Sequence, residues 1–308
     1  MGRFILAATF VFSQVAAAAA EATAELPKPS SNLYLESMLV GTIQRTGGFV
    51  DLRMRYRKTL YSSEHEAFSG NFIGAGLIAQ ATPIFSQTGA YVEVQPASFF
   101  RLTGAYELVG YFGTFNTMRT ASNCEGVKFM TAEDQSCAFP LSGSTAPGRA
   151  DYGHRAWVEA LSQGRLGRFI ASNNFTAERW WFRDDWAAGR TAAFWVNELF
   201  ALPQKKDDTV LTNTAMVMFE ALRDEGGSKP HVMVGAMSSL AYAVGTDYTM
   251  HRVGPVGVLH IPEWKGMRDL AAVLMVQFYT HDRYAKGPLP FIGLALSVST
   301  PNFMSGVK

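Results

Sequence analysis

The sequence predicts an all-β chain, a single antiparallel up-and-down transmembrane β-barrel of about 12 strands, within a range of roughly 12–14. Three observations carry that expectation. Segments of ~10 to 15 residues alternate between apolar and polar side chains, which is the period of a strand. Those segments are long: ~9–11 residues cross a bilayer at a tilt, whereas the mean strand of a globular protein has ~5–6. Aromatic residues gather where the segments end, as in an interfacial girdle. The 28 glycines and 13% aromatic content suit a β protein with many turns.

The chain has 308 residues, 48% apolar and 17% charged, with a formal net charge of +1. That balance excludes the basic excess expected of a nucleic-acid binder. Residues 1–24 read as a secretory signal peptide. Arg3 precedes an apolar run from Phe4 to about Val15, and small-x-small sites follow at Ala18-Ala19-Ala20 and Ala22-Thr23-Ala24. The apolar run is short for a helical span. Residues 25–308 then form one barrel domain, and no later stretch has the ~18 apolar residues of a transmembrane helix.

The first strand candidate is LYLESMLVGTIQ (33–44), followed by a turn at RTGG. VDLRMRYRK (50–58) is the most regular: Val50, Leu52, Met54 and Tyr56 alternate with Asp51, Arg53, Arg55 and Arg57. NFIGAGLIAQAT (71–82) comes next. Its GAGLIA formally fits G-x-G-x-x-A, but with no helix to receive a phosphate it reads as ordinary strand glycine. Residues 89–113 hold two strands that break near Pro96, because proline cannot donate to an interior ladder. Residues 114–149 form a long surface loop with Cys124 and Cys137, expected to pair as a disulfide in an exported protein. Such a short ring adds on the order of 3 kcal/mol. Beyond it, DYGHRAWVEALSQ and GRFIASNNFTAERWWF form one hairpin. RTAAFWVNELFAL is expected to pair with TVLTNTAMVMFEAL, HVMVGAMSSLAYAV with MHRVGPVGVLHI, and RDLAAVLMVQFYT with LPFIGLALSVST. A closed barrel with both termini on one side needs an even number of strands, and the count of 12 to 13 means that at least one boundary is in error.

Alternation alone does not say which face meets water. A soluble exported β-sandwich buries its apolar face, whereas a membrane barrel turns it to lipid. Strand length, the aromatic strand ends (Tyr111, Phe112, Trp180, Trp181, Phe182, Trp186, Trp264, Phe278 and Tyr279) and the leader favour the membrane. In this pattern the chain resembles the outer-membrane β-barrel proteins of Gram-negative bacteria, without matching a particular family. The resemblance implies the cell outer membrane as location and membrane lipid as partner. It departs at the C-terminus, where TPNFMSGVK leaves Phe303 short of the closing aromatic such barrels often carry.

The polar faces then become an inner wall: Asp51, Arg53, Arg55, Arg57, Glu93, Gln95, Arg101, Glu107, Arg155, Glu159 and Glu198. In a wide lumen the arginines attract anions, and small hydrophilic or anionic solutes are the expected cargo. In a narrow lumen the same charges pair and plug it. The leading expectation is a passive channel or small-solute transporter. The alternatives are a rim-site lipid hydrolase and a structural or adhesive barrel that displays the cysteine loop. None of the six histidines stands in HExxH or Cys/His zinc spacing, and no G-x-S-x-G occurs, so neither a metal nor a cofactor is expected. His154 beside Arg155 and the Asp184-Asp185 pair are the places to look for assembled chemistry.

Overall fold

In the computed structural model the chain is described at residues 31–43, 47–63, 65–112, 120–121, 150–182, 194–197, 202–204, 207–222, 230–264, 267–281 and 290–303. The expected signal peptide and the Cys124–Cys137 pair lie outside these residues, as do Trp186, Asp184, Asp185 and Glu198.

Twelve strands close into one antiparallel barrel. In chain order they are β1 (Ser31–Ile43), β2 (Gly47–Thr59), β3 (Phe72–Ala81), β4 (Phe85–Ala97), β5 (Phe100–Phe112), β7 (Ala150–Leu166), β8 (Phe169–Phe182), β11 (Asp208–Leu222), β12 (His231–Ala243), β13 (Tyr248–Trp264), β14 (Met267–His281) and β15 (Phe291–Ser299). Each pairs with its barrel neighbour, and β1 closes the ring on β15 from Glu36↔Ser299 to Ile43↔Ile292. The start of β1 and the end of β15 therefore lie at one end of the barrel, the chain-terminal end. The connections β5–β7 and β8–β11 lie at the other.

The surplus strand of the sequence reading is RTAAFWVNELFAL. Among the described residues it supplies β9 (Phe194–Asn197) and the start of β10 (Leu202–Gln204), which join β6 (Thr120–Ala121) in a separate three-stranded sheet. β11 pairs instead with β8, from Asp208↔Trp180 to Phe219↔Phe169. Parity explains the correction: an even barrel has no place for this segment as a further strand. β10 packs against β12 and β13, and Leu202 joins the buried apolar cluster of the interior. The polar connection after β2 also carries one helical turn, Glu66–Ser69, capped by His65 Nδ1 accepting from the Ala67 N–H at 3.2 Å. Pro96 lies inside β4 at a register shift between Val94 and Ala97, so the strand survives it by bulging.

Burial alternates along the strands, as in BiBeieBeBiBeB for β4. The exposed set is apolar: Leu35, Leu39, Leu77, Val92, Leu108, Val158, Val217, Leu240, Leu274 and Leu294 face outward. Exposed rings flank them, with Tyr106, Phe112, Tyr152 and Phe278 toward the end of the long connections. Tyr56, Phe99, Phe169 and Phe303 lie toward the chain-terminal end. Half of each aromatic pair expected in the girdle turns the other way. Trp180, Phe182 and Tyr111 are buried inside, because neighbours on a strand face opposite sides.

Candidate functional site

The interior has two unlike walls. The first runs from β1 across β2 to β8. On β2 the residues Asp51, Arg53, Arg55 and Arg57 share the inward side. Arg53 lies on Asp51, with Nε to Oδ1 at 3.1 Å. Arg55 reaches Glu36 on β1 at 3.0 Å and donates to the Tyr91 hydroxyl at 3.0 Å. Arg57 donates to Glu93 at 2.9 Å, and Arg55 Nε stands 3.6 Å from the same carboxylate.

Glu93 and Tyr91 are two strands away from β2, a separation of ~9–10 Å at ordinary strand spacing. The strand between them supplies Gly74 in the row Arg57–Gly74–Glu93 and Gly76 in the row Arg55–Gly76–Tyr91. A Cβ at Gly74 would stand 2.9 Å from Glu93 Cγ, and one at Gly76 would stand 2.5 Å from the Tyr91 oxygen. The two glycines of GAGLIA thus clear the path along which the arginines meet their partners.

A second cluster centres on Arg155 of β7. Its Nη1 donates to Glu107 at 2.9 Å and its Nε to Glu178 at 2.8 Å, with Gln87 at 3.4 Å. The Trp157 indole N–H donates to Glu107 and that of Trp180 to Glu178, both at 3.0 Å. Both rings stand beside the guanidinium, whose Cζ is 5.7 Å from the Trp157 centroid and 5.2 Å from that of Trp180. Arg155, Glu107 and Glu178 are each 1% exposed. Arg101 of β5 stands 3.9 Å from Glu159 of β7, and Gln95 donates to the Gly70 carbonyl at 2.7 Å. Along this wall Arg53, Arg55, Arg57, Arg101 and Arg155 face Glu36, Asp51, Glu93, Glu107, Glu159 and Glu178, so cations and anions nearly balance.

The second wall, on β11 to β15 and β1, is apolar and sulfur-rich. Met38, Met216, Met218, Met233, Met237, Met250 and Met275 are all buried, among Ala241, Val256, Val258, Ala271, Val273 and Ala295. Met216 and Met237 are direct cross-strand partners. Arg252 lies here with its Cζ 4.3 Å from the Phe291 centroid. Near the chain-terminal end His231 and His260, also cross-strand partners, stack at 6.0 Å. His260 Nε2 is 3.5 Å from Asp269.

On the outer wall, His154 accepts or donates to the Tyr106 hydroxyl at 2.6 Å and stacks on Trp181 at 5.6 Å. Its neighbour Arg155 faces the interior, so the two serve opposite sides. Elsewhere on that wall a Ser and a His do converge: Ser238 Oγ lies 2.9 Å from His251 Nε2, and Thr280 Oγ1 lies 2.5 Å from His251 Nδ1.

Sequence reasoning proposed the arginine row, Glu93, Glu107 and Glu159 for the inner wall. It passed over Glu36 and Glu178, although each shares the inward parity of its strand, Glu36 with Tyr34 and Met38, Glu178 with Thr176 and Trp180. The methionine wall gave no period-2 signal, because segments such as AMVMF are apolar on both faces. Ser238, His251 and Thr280 lie on three strands, so no local motif announces them.

No protein-family model and no curated protein matches the chain. Similar solved structures are outer-membrane barrels. The β domain of the Bordetella autotransporter BrkA is 10% identical, with 88% of this chain and 99% of that one covered and a TM-score of 0.46. The translocator domain of the autotransporter NalP from Neisseria meningitidis is 8% identical, with 96% of each chain covered and a TM-score of 0.41. The KdgM porin is 9% identical, with 88% of this chain and 98% of that one covered and a TM-score of 0.36.

Proposed function

We propose that the chain spans a bacterial outer membrane as a narrow channel for small solutes, with an interior that neutralises its own charge. The outer wall supports the membrane placement: a band of exposed leucine and valine flanked by aromatic residues suits lipid, and a closed barrel leaves no strand edge in it. The observation that carries the channel reading is the two-walled interior, a charged wall facing a methionine wall. Such a surface suits small solutes with a polar and an apolar side. Because Arg53, Arg55, Arg57, Arg101 and Arg155 each have a carboxylate within 4 Å, the charged wall lacks the unpaired positive stripe of an anion-selective pore.

The charge pairing makes the expected selectivity weak and adjustable. In planar bilayers the purified folded protein should give small conductance steps with little preference between cations and anions. Glu93→Gln leaves Arg55 and Arg57 without their shared carboxylate and should move the reversal potential toward anions. Arg57→Gln leaves Glu93 in excess and should move it toward cations. Absence of conductance steps from folded protein sinks the channel reading, and reversal potentials that ignore both substitutions sink the role of this wall.

A further inference from the structure

The cluster on the outer wall has the geometry of a nucleophile with its base. His251 is opposite Leu240 on β12, and Ser238 is opposite Val253 on β13. The β13–β14 register shifts between His251 and Arg252, from His251↔His281 to Arg252↔Tyr279, so Thr280 is the extra residue of a bulge. Bulges re-aim side chains and concentrate beside active sites. This one brings Thr280 to the histidine.

The hydrogen bonds run in one direction. Thr280 Oγ1 stands 3.3 Å from the His251 carbonyl, which can only accept, so the threonine hydroxyl donates there. Its oxygen then accepts from Nδ1–H, at 2.5 Å. A neutral imidazole protonated at Nδ1 presents a bare Nε2, and that atom faces the Ser238 hydroxyl at 2.9 Å. This is the tautomer in which a histidine takes a proton from serine.

Position argues for the substrate. Leu240, Val253 and Phe278 around the cluster are exposed on the outer wall. His251 is three residues into β13, ~10 Å along the strand from the end of the long connections. That is the level of the headgroup–acyl boundary in the proposed membrane placement, where lipid ester carbonyls lie. Polar groups facing lipid are rare and usually functional.

We infer that Ser238, His251 and Thr280 form an acyl-ester hydrolase site on the outer wall that takes ester-linked membrane lipid. Ser238 Oγ attacks the ester carbonyl carbon and its proton passes to His251 Nε2. The bond from that carbon to the alcohol oxygen breaks, and the alcohol leaves with the proton from Nε2. Water then adds to the acyl-serine, giving a proton to Nε2. The fatty acid departs and Ser238 recovers its hydrogen. Ser238 and His251 are the catalytic residues, and Thr280 is a positioning residue that holds the tautomer. The inference rests on the membrane placement above and not on the channel.

The test uses the full folded protein in vesicles of phosphatidylethanolamine and phosphatidylglycerol, with and without lipopolysaccharide. Heat-modifiable migration establishes folding of each variant and so separates a failed site from a failed membrane placement. Fatty acid release in both vesicle types assigns glycerophospholipid, and release only with lipopolysaccharide assigns an acylated saccharide. Ser238→Ala and His251→Asn should each lower release by at least about 100-fold. Thr280→Ser should retain it. Thr280→Val should lower kcat more than it changes KM and shift the acidic limb of the pH profile. Wild-type protein treated with phenylmethylsulfonyl fluoride should carry the label on Ser238, a measurement that needs no variant. Folded wild-type protein that neither releases fatty acid nor takes the label overturns the inference, as does release that survives Ser238→Ala.

Discussion

Arg155 shows what an interior charge requires of its neighbours. Glu107 and Glu178 hold it from β5 and β8, and the Trp157 and Trp180 indoles donate to the same two carboxylates. Removing the arginine leaves two buried carboxylates without their cation, a change that costs about 3–5 kcal/mol. Arg155→Ala should therefore lower the urea midpoint of the folded protein markedly. The triple variant Arg155→Ala, Glu107→Gln, Glu178→Gln should recover most of that loss, since it removes charge together with counter-charge. Equal midpoints for the single and triple variants would show that packing, and not charge, holds this cluster. Sequence alone proposed Arg155 and Glu107 for the inner wall. It did not show that they meet each other while Arg57 takes Glu93, because partner choice depends on register between strands.

The strands themselves were legible from period-2 alternation where one face is polar, as on β2 and β5, and from segment length between turn signals where both faces are apolar. Their number was not, since RTAAFWVNELFAL carries strand-forming residues yet contributes to a small separate sheet and not to the barrel. Glycine positions were visible, but their purpose needed the register. Inward glycines lie where a long side chain from the next strand crosses them. Gly89 is such a position: an added Cβ would stand 2.8 Å from Glu107 Cγ and 2.1 Å from the Tyr106 carbonyl oxygen. Gly41 faces outward with nothing within 4 Å. Gly89→Ala should thus lower folding yield or unfolding midpoint, whereas Gly41→Ala should change stability by no more than about 0.5 kcal/mol. Refolding both from urea into detergent micelles and comparing midpoints checks the contrast. A tolerated Gly89→Ala would mean that the Glu107 side chain has room to move.

At the scale of the molecule, the lipid-facing assignment separates residues that sequence cannot separate. Trp181 lies on the outer wall, whereas Trp157 and Trp180 are 4% and 0% exposed inside. In vesicles of lipids brominated on the acyl chain, tryptophan emission should be partly quenched. Trp181→Phe should remove part of the quenched fraction, and Trp157→Phe should leave it intact. Quenching unaffected by Trp181→Phe would contradict the placement of that wall in lipid.

The methionine wall has a chemical consequence. A thioether exposed to peroxide becomes a sulfoxide, and each event adds one oxygen to a side chain that peptide mapping can locate. Met54 is exposed on the outer wall, whereas Met216, Met237 and Met275 are buried in the interior. Those thioethers are therefore a built-in dosimeter of water. If peroxide travels through the barrel, they oxidise while the fold is intact; if the interior stays sealed, their oxidation waits for unfolding. The time course of sulfoxide formation along β11, β12 and β14 would then trace the route a small solute takes through the protein.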